Sequence, residues 1–189
     1  MSDINETIQE SVEQAGKSKI NSRVAALVAI TATFMALCNV KDGNIVQAMS
    51  QAQAHNIDRW SYFQAKSTKE AIVENTLEMI KLQKSPDSVQ LIKKYEAEVA
   101  RYEKEKAAIK SEAEGFAKEY DDLNIFDDQY DMTEALLTIA IAMFGITALT
   151  QKKWLFWFSL CVSLLGIILG FTAFLNISMH SDFVAKILG

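Results

Sequence analysis

Three apolar stretches decide the fold of this chain: VAALVAITATFMALCNV at 24–40, MTEALLTIAIAMFGITAL at 132–149 and WLFWFSLCVSLLGIILGFTAFLNI at 154–177. A helix needs about 20 consecutive apolar residues to cross the hydrocarbon core of a bilayer. The third stretch clears that length without a charge, and the second carries one acid, Glu134, near its outer end. The first is shorter but uncharged, and we interpret it as an uncleaved signal anchor. The sequence therefore predicts three transmembrane helices.

The segment between the first two spans, residues 41–131, has the opposite character. It contains 13 basic and 18 acidic residues and the only proline of the chain. We expect it to form a helical module outside the membrane, with helices at about 44–84 and 86–120. A polar segment at 1–23 and a tail at 178–189 complete the predicted organisation.

Local signals within the module indicate two helices. Residues from Asn44 to about Lys84 contain neither proline nor glycine and are rich in strong helix formers. Ser85-Pro86-Asp87 has the composition of a helix start, with an N-cap serine, a first-turn proline and an acid beside it. The second helix is predicted to continue to about Tyr120.

A heptad spacing indicates that these two helices pack lengthwise. In the second helix only one lysine interrupts the stripe, which consists of Ile92, Tyr95, Val99, Tyr102, Lys106, Ile109, Ala113, Phe116 and Tyr120. In the first helix, apolar positions such as Ile45 and Ile80 share one register, but Asn56, Arg59, Lys66 and Glu70 interrupt it. The predicted fold is thus an all-α membrane protein with an antiparallel, coiled-coil-like hairpin between its first two spans.

Small residues recur in the spans at the spacing that lets helix backbones approach closely in lipid. Gly166 and Gly170 form such a pair in the third span, with Ser159 and Ser163 at the same spacing before them. Packing among the three spans of one chain and association between chains both explain this pattern. The sequence leaves the two alternatives open.

An acidic group precedes the second span: Asp121, Asp122, Asp127, Asp128 and Asp131. Closely spaced carboxylates can hold a hard cation through their oxygen atoms. A solvated connector that caps the next helix explains them as well, because acids are favourable at helix N-termini. Intramembrane ionisable groups such as Glu134 are candidates for function, so Glu134, Asp127, Asp128 and Asp131 are predicted as a possible cation path.

The sequence predicts neither a catalytic residue, nor a cofactor site, nor a metal site. His55 and His180 are the only histidines, and neither has a partner at metal-ligand spacing. A net charge of −5 argues against nucleic acid as a partner. The expected partners are membrane lipid and either other copies of the chain or another membrane protein.

Basic residues near span ends predict the orientation. Lys17, Lys19 and Arg23 precede the first span, and Lys152 and Lys153 connect the last two. Three spans place both groups on one side of the membrane. We expect the N-terminus to be cytoplasmic and the hairpin to lie outside.

Three stretches also carry a family resemblance: WSYFQAKS at 60–67, the tyrosine and charge pattern of YEAEVARYEKEK at 95–106, and YDMTEALL at 130–137. Together they resemble domain-of-unknown-function family 4337, a group of small bacterial membrane proteins. The resemblance extends from about Asn21 to about Leu175, and the first stretch is its most specific part. It implies a bacterial inner-membrane protein of this layout, and it implies no activity.

We therefore expect a non-enzymatic membrane scaffold or assembly protein that acts through helical self-association or partner binding. A helical face around Trp60, Tyr62 and Phe63 is the predicted contact surface, and Gly166 and Gly170 are predicted contacts within the membrane. The alternative is a small oligomeric cation channel or a transport accessory subunit with an acidic mouth.

Overall fold

The computed structural model describes the backbone of residues 2–83 and 88–177, and the side chains of residues 14, 19–83 and 88–177. These described residues form three helices: α1 at Ser2–Gln83, α2 at Ser88–Thr150 and α3 at Lys153–Phe174. The predicted helix start at Ser85-Pro86-Asp87, His180 and the tail at 178–189 lie outside the described residues.

The helices are longer than the predicted boundaries. The predicted first span and the first helix of the module belong to one helix of 82 residues, α1. The second helix does not end near Tyr120, because α2 continues through all the aspartates to Thr150 over 63 residues. Residues 121–131 contain neither proline nor glycine, so nothing in the sequence interrupts the backbone hydrogen bonds there. The interpretation of this segment as a solvated connector is therefore wrong.

The chain divides into two compact units. Unit 1 comprises residues 1–46 and 124–189, and unit 2 comprises residues 47–123. Both long helices contribute to both units, whereas α3 belongs to unit 1 alone.

Unit 1 is a bundle of three helical segments. Each of the three helices is long and apolar enough to cross a membrane. Only 17%, 28% and 28% of the most apolar windows of α1, α2 and α3 are buried by the protein itself. Large side chains such as Ile30, Val40, Leu149 and Leu165 are exposed on the outside of the unit. This surface suits lipid, as the three predicted spans require.

One face of α3 supplies the close packing of this bundle. Its buried residues are Leu155, Ser159, Ser163, Gly166, Gly170 and Ala173, which repeat at intervals of three and four. The Thr31 and Ser163 hydroxyls form a 2.9 Å hydrogen bond between α1 and α3. Small and hydroxyl-bearing side chains on such a face allow close helix contact without a large apolar core.

A short turn joins α2 to α3. Gln151 adopts a positive φ of 57°, and its backbone N–H donates to the Thr147 carbonyl at 2.8 Å. Its side-chain amide donates to Asn21 Oδ1 at 2.6 Å. This contact places the start of the first predicted span beside the α2–α3 turn. Arg23 and Lys153 line one shallow pocket at the same end of unit 1.

Unit 2 is an antiparallel helical hairpin. All nine residues of the stripe predicted in its second helix are buried or half-buried. The polar residues that interrupt the stripe of the first helix lie on the packed face and bind groups of α2. Asn56 donates to the Ala113 carbonyl at 2.7 Å, and the Lys66 ammonium contacts Glu105 at 2.6 Å. Polar positions in the two helices therefore complement each other.

The Lys106 side chain, the one interruption in the second stripe, forms an ion pair with Glu70 of the first. The Glu70 side chain is 7% exposed, so the Lys106 ammonium, rather than water, compensates its negative charge. A further pair joins Arg59 to Glu112 at 3.2 Å. A buried polar pair fixes the register of two packed helices, because any slip leaves both charges unpaired.

Candidate functional site

Four carboxyl groups of unit 1 lie close together at one end of the predicted spans. Asp42 belongs to α1, two residues beyond the first span, and Asp127, Asp131 and Glu134 belong to α2. Intervals of four and three place the α2 members on one face of their helix. The negative charge of each of these three residues acts on the carboxyl group of Asp42. We call these four residues the acidic cluster.

The carboxyl groups of Asp42 and Asp127 influence each other's ionisation across α1 and α2. Burial raises the pKa of Asp42 to about 6, and the neighbouring charges of Asp127, Asp131 and Glu134 add to the shift. Burial also raises the pKa of Asp127, helped by the charge of Asp131. Desolvation and like charge both disfavour the ionised form of a carboxyl group.

A tyrosine hydroxyl lies beside the acidic cluster. Tyr130 is 2% exposed, and its Oη atom has no hydrogen-bond partner within the described part of the chain. The same is true of Asp42 Oδ1. Burial raises the pKa of Tyr130 to about 12, with added contributions from the neighbouring Cys38 and Asp42. The aromatic ring packs edge-on against Phe174 of α3, with 5.8 Å between ring centroids.

Three of the four residues predicted as a cation path lie on one face of α2. Asp127, Asp131 and Glu134 join the acidic cluster, whereas Asp128 contacts Asn124 one turn away at 3.3 Å. Asp42 was missed. Its position directly after the first span was the available signal, because antiparallel helices place that residue level with the approach to the second span.

The acidic cluster is not arranged as a metal site. Among the described residues, no group of three or more His, Cys, Asp and Glu side chains is placed to hold a metal ion. His55 stacks on Phe116 instead, with 5.0 Å between ring centroids. Carboxyl groups whose pKa values are raised can bind and release protons, and their negative charge attracts cations.

Gly166 and Gly170 both lie at contacts within the chain. A Cβ atom on Gly166 would lie 2.7 Å from Leu137 Cδ2 of α2. One on Gly170 would lie 2.8 Å from Thr133 Cγ2 and 2.9 Å from Phe34 Cε1. Both glycines therefore take part in close packing among the spans of one chain, and their contact with another chain stays a prediction.

The three aromatic residues predicted as a contact surface lie in unit 2. Trp60 and Phe63 are half-buried and form an edge-on pair at 5.5 Å, and the Lys106 ammonium lies 5.6 Å from the centre of the Phe63 ring. Tyr62 is 44% exposed and lies beside the Lys66 ammonium. Phe63 thus belongs to the packed face of the hairpin, and Tyr62 is the most open of the three.

Over the part of the chain that the structure describes, these features define an all-helical protein with three membrane-span-like helices, a helical hairpin and an acidic cluster. The chain belongs to the family described as Domain of unknown function (DUF4337), whose sequence pattern matches residues 20–176. No curated protein and no solved structure shows a significant match to it.

Proposed function

We propose that this protein is a non-enzymatic scaffold of the bacterial inner membrane that binds another protein, or another copy of itself, through its helical hairpin. The observation that carries the proposal is the exposure of four large apolar side chains near the end of unit 2. Met79 and Leu82 of α1 are 59% and 78% exposed, and Val89 and Leu91 of α2 are 60% and 44% exposed. We call these four residues the hairpin tip.

The hairpin tip is exposed although the two helices are packed along their length. Ion pairs and the apolar stripe already join α1 to α2, so the tip residues are not needed to hold the hairpin together. Large apolar side chains exposed at one end of a helical pair are suited to contact with another protein. A register-fixed hairpin with an apolar tip is therefore suited to binding a partner.

The proposed orientation places the N-terminus in the cytoplasm and residues 41–131 outside. It is supported by the contact between Gln151 and Asn21, which brings Lys19 and Arg23 to the same end of unit 1 as Lys152 and Lys153. Basic residues in short segments beside spans are retained on the cytoplasmic side.

Site-specific photocrosslinking in intact cells tests the scaffold role. A photoreactive amino acid at Leu82 is expected to give discrete crosslinked species larger than the monomer. The matched control is the same amino acid at Glu103, which is exposed on α2 away from the tip. Crosslinks of equal yield at both positions, or none at Leu82, contradict the proposal.

A second candidate function, a cation path through an oligomer, is supported by the way Asp42 joins Asp127, Asp131 and Glu134. Acidic rings at a pore mouth favour cations. In liposomes containing the purified protein, cation flux is expected, and Glu134→Gln is expected to reduce it. Asp122→Asn, at an exposed residue outside the acidic cluster, serves as the control. Absence of flux with the wild-type protein rules this candidate out.

A further inference from the structure

We propose that the shallow pocket between α1 and α3 in unit 1 binds the headgroup of an anionic membrane phospholipid. The pocket has a volume of about 120 Å³ and is lined by Ile20, Arg23, Lys153, Phe156 and Trp157. We call it the basic pocket. Two cationic side chains from different helices therefore line the same pocket, beside three apolar ones.

No carboxylate compensates these two cations within the described part of the chain. Neither Arg23 nor Lys153 forms an ion pair there. The described acids of unit 1 all lie toward the other end of the spans: Asp42, Asp127, Asp128, Asp131 and Glu134. The basic pocket therefore favours a negatively charged ligand.

Two further features add positive potential at this end of unit 1. Lys19 precedes Arg23 by about one helical turn, Lys152 precedes Lys153, and both flanking lysines are exposed. The positive end of the α3 macrodipole lies at the same place, because α3 begins at Lys153. Arginine binds phosphate oxygens through its planar fork and lysine binds them as a point charge, so a phosphate group suits this pair of side chains.

Contacts with the protein core hold the walls of the basic pocket. Ile20 and Phe156 pack against the core cluster that contains Phe144. The Phe144 and Phe156 rings meet edge-on, with 6.3 Å between their centroids. The hydrogen bond from the Gln151 amide to Asn21 ties α1 to the turn before α3. A pocket that is already formed loses less conformational freedom on binding than one that has to be ordered.

Aromatic side chains of α3 place the basic pocket at the level of lipid headgroups. Trp154, Trp157 and Phe158 are exposed near the start of α3. Tryptophan is enriched where a membrane meets water, because its ring suits the acyl chains and its N–H suits the headgroup region. A phospholipid at this pocket can contact Trp157 with its apolar part, which a free phosphate ion cannot do. A lipid is therefore the expected source of the phosphate.

Native mass spectrometry of the full-length protein in detergent tests this site. Phosphatidylglycerol and phosphatidylcholine with the same acyl chains are supplied in equal amounts, because both contain a phosphate and only the first has a net negative charge. The wild-type protein is expected to retain one phosphatidylglycerol molecule per chain in preference to phosphatidylcholine. Equal retention of the two lipids overturns the proposal.

Single substitutions locate the binding site. Arg23→Gln and Lys153→Gln are each expected to weaken phosphatidylglycerol binding by about fivefold, which corresponds to the contribution of one basic residue near an anionic membrane. Lys153→Arg keeps the charge and is expected to keep the preference. The matched controls are Lys152→Gln, next to the pocket but not lining it, and Lys41→Gln, at the other end of the first span. Both controls are expected to retain binding, and a loss as large as in the pocket variants overturns the proposal.

Inorganic phosphate distinguishes a lipid site from a site for the free ion. An excess of phosphate is expected to displace no more phosphatidylglycerol than sodium chloride of the same ionic strength, which controls for screening. Greater displacement by phosphate assigns the pocket to the free ion and overturns the proposal.

The folded state of each variant is checked by circular dichroism. Arg23 and Lys153 are exposed, so both variants are expected to fold, and either one alone suffices for the test. The basic pocket requires that unit 1 lies in a membrane, but it is independent of the hairpin tip. Crosslinking at Leu82 is therefore expected to be unchanged in these variants, so failure of the lipid site is distinct from failure of the scaffold role.

Discussion

At the scale of single residues, the packing of unit 1 depends on positions where a neighbouring helix leaves no room for a side chain. Gly170 is such a position, because α1 and α2 both approach its Cα within the distance that a side chain would occupy. Gly145 lies on α2 with nothing within 4 Å of an added Cβ. The two glycines therefore provide a matched comparison.

Gly170→Ala is expected to destabilise the bundle by about 1–3 kcal/mol, because the new methyl group overpacks the contact with Phe34 and Thr133. Gly145→Ala is expected to be neutral or to stabilise by up to about 1 kcal/mol, because alanine is the better helix former. Thermal unfolding in detergent checks both. Equal effects of the two substitutions would contradict the packing described for α3.

At the scale of the elements, ion pairs join α1 to α2 in unit 2. In the sequence, the residues of these pairs interrupt the apolar stripes of the two helices. Lys106 and Glu70 each interrupt an apolar stripe, and each is the partner of the other. The exposed pair Lys81–Glu96, at 2.9 Å, joins the same two helices but is half open to solvent. Burial is thus the main difference between the two pairs.

Lys106→Met is expected to destabilise the hairpin by about 1–3 kcal/mol, because it leaves the buried Glu70 carboxylate without its partner. The double variant Glu70→Met, Lys106→Met is expected to recover most of that loss, since two apolar residues can replace a buried pair. Lys81→Met is the control and is expected to cost less than about 1 kcal/mol. Chemical unfolding monitored by circular dichroism measures all three.

If the double variant were no more stable than Lys106→Met alone, the pairing of these two residues would be refuted. A loss for Lys81→Met as large as that for Lys106→Met would show that burial does not distinguish the two pairs.

At the scale of the whole molecule, the proposed orientation rests on basic residues gathered at one end of unit 1. Ser111 and Ser22 are both exposed and are predicted to lie on opposite sides of the membrane. They can be replaced one at a time by cysteine in a background with Cys38→Ala and Cys161→Ala.

A membrane-impermeant maleimide applied to intact spheroplasts is expected to label Ser111→Cys and not Ser22→Cys. Permeabilising the membrane is expected to expose Ser22→Cys as well. The reverse pattern would invert the orientation, and labelling of both in intact spheroplasts would contradict the placement of the first span.

The sequence by itself determined that the chain is helical, that three segments have the length and apolarity of membrane spans, and that residues such as Ile109 and Ala113 face another helix. These properties follow from local composition and periodicity, which do not depend on distant residues. The ends of the helices were harder to predict, because nothing in residues 121–131 indicates whether a helix ends or continues there.

Only the tertiary structure decided which polar groups meet. It paired Lys106 with Glu70, assigned Gly166 and Gly170 to contacts within one chain, and brought Asp42 to Asp127 across 85 positions of sequence. Such pairings depend on the register between helices and on burial. A sequence pattern fixes the face of a helix, but the partner of that face and the protonation state of a buried carboxyl group are set by what packs against it.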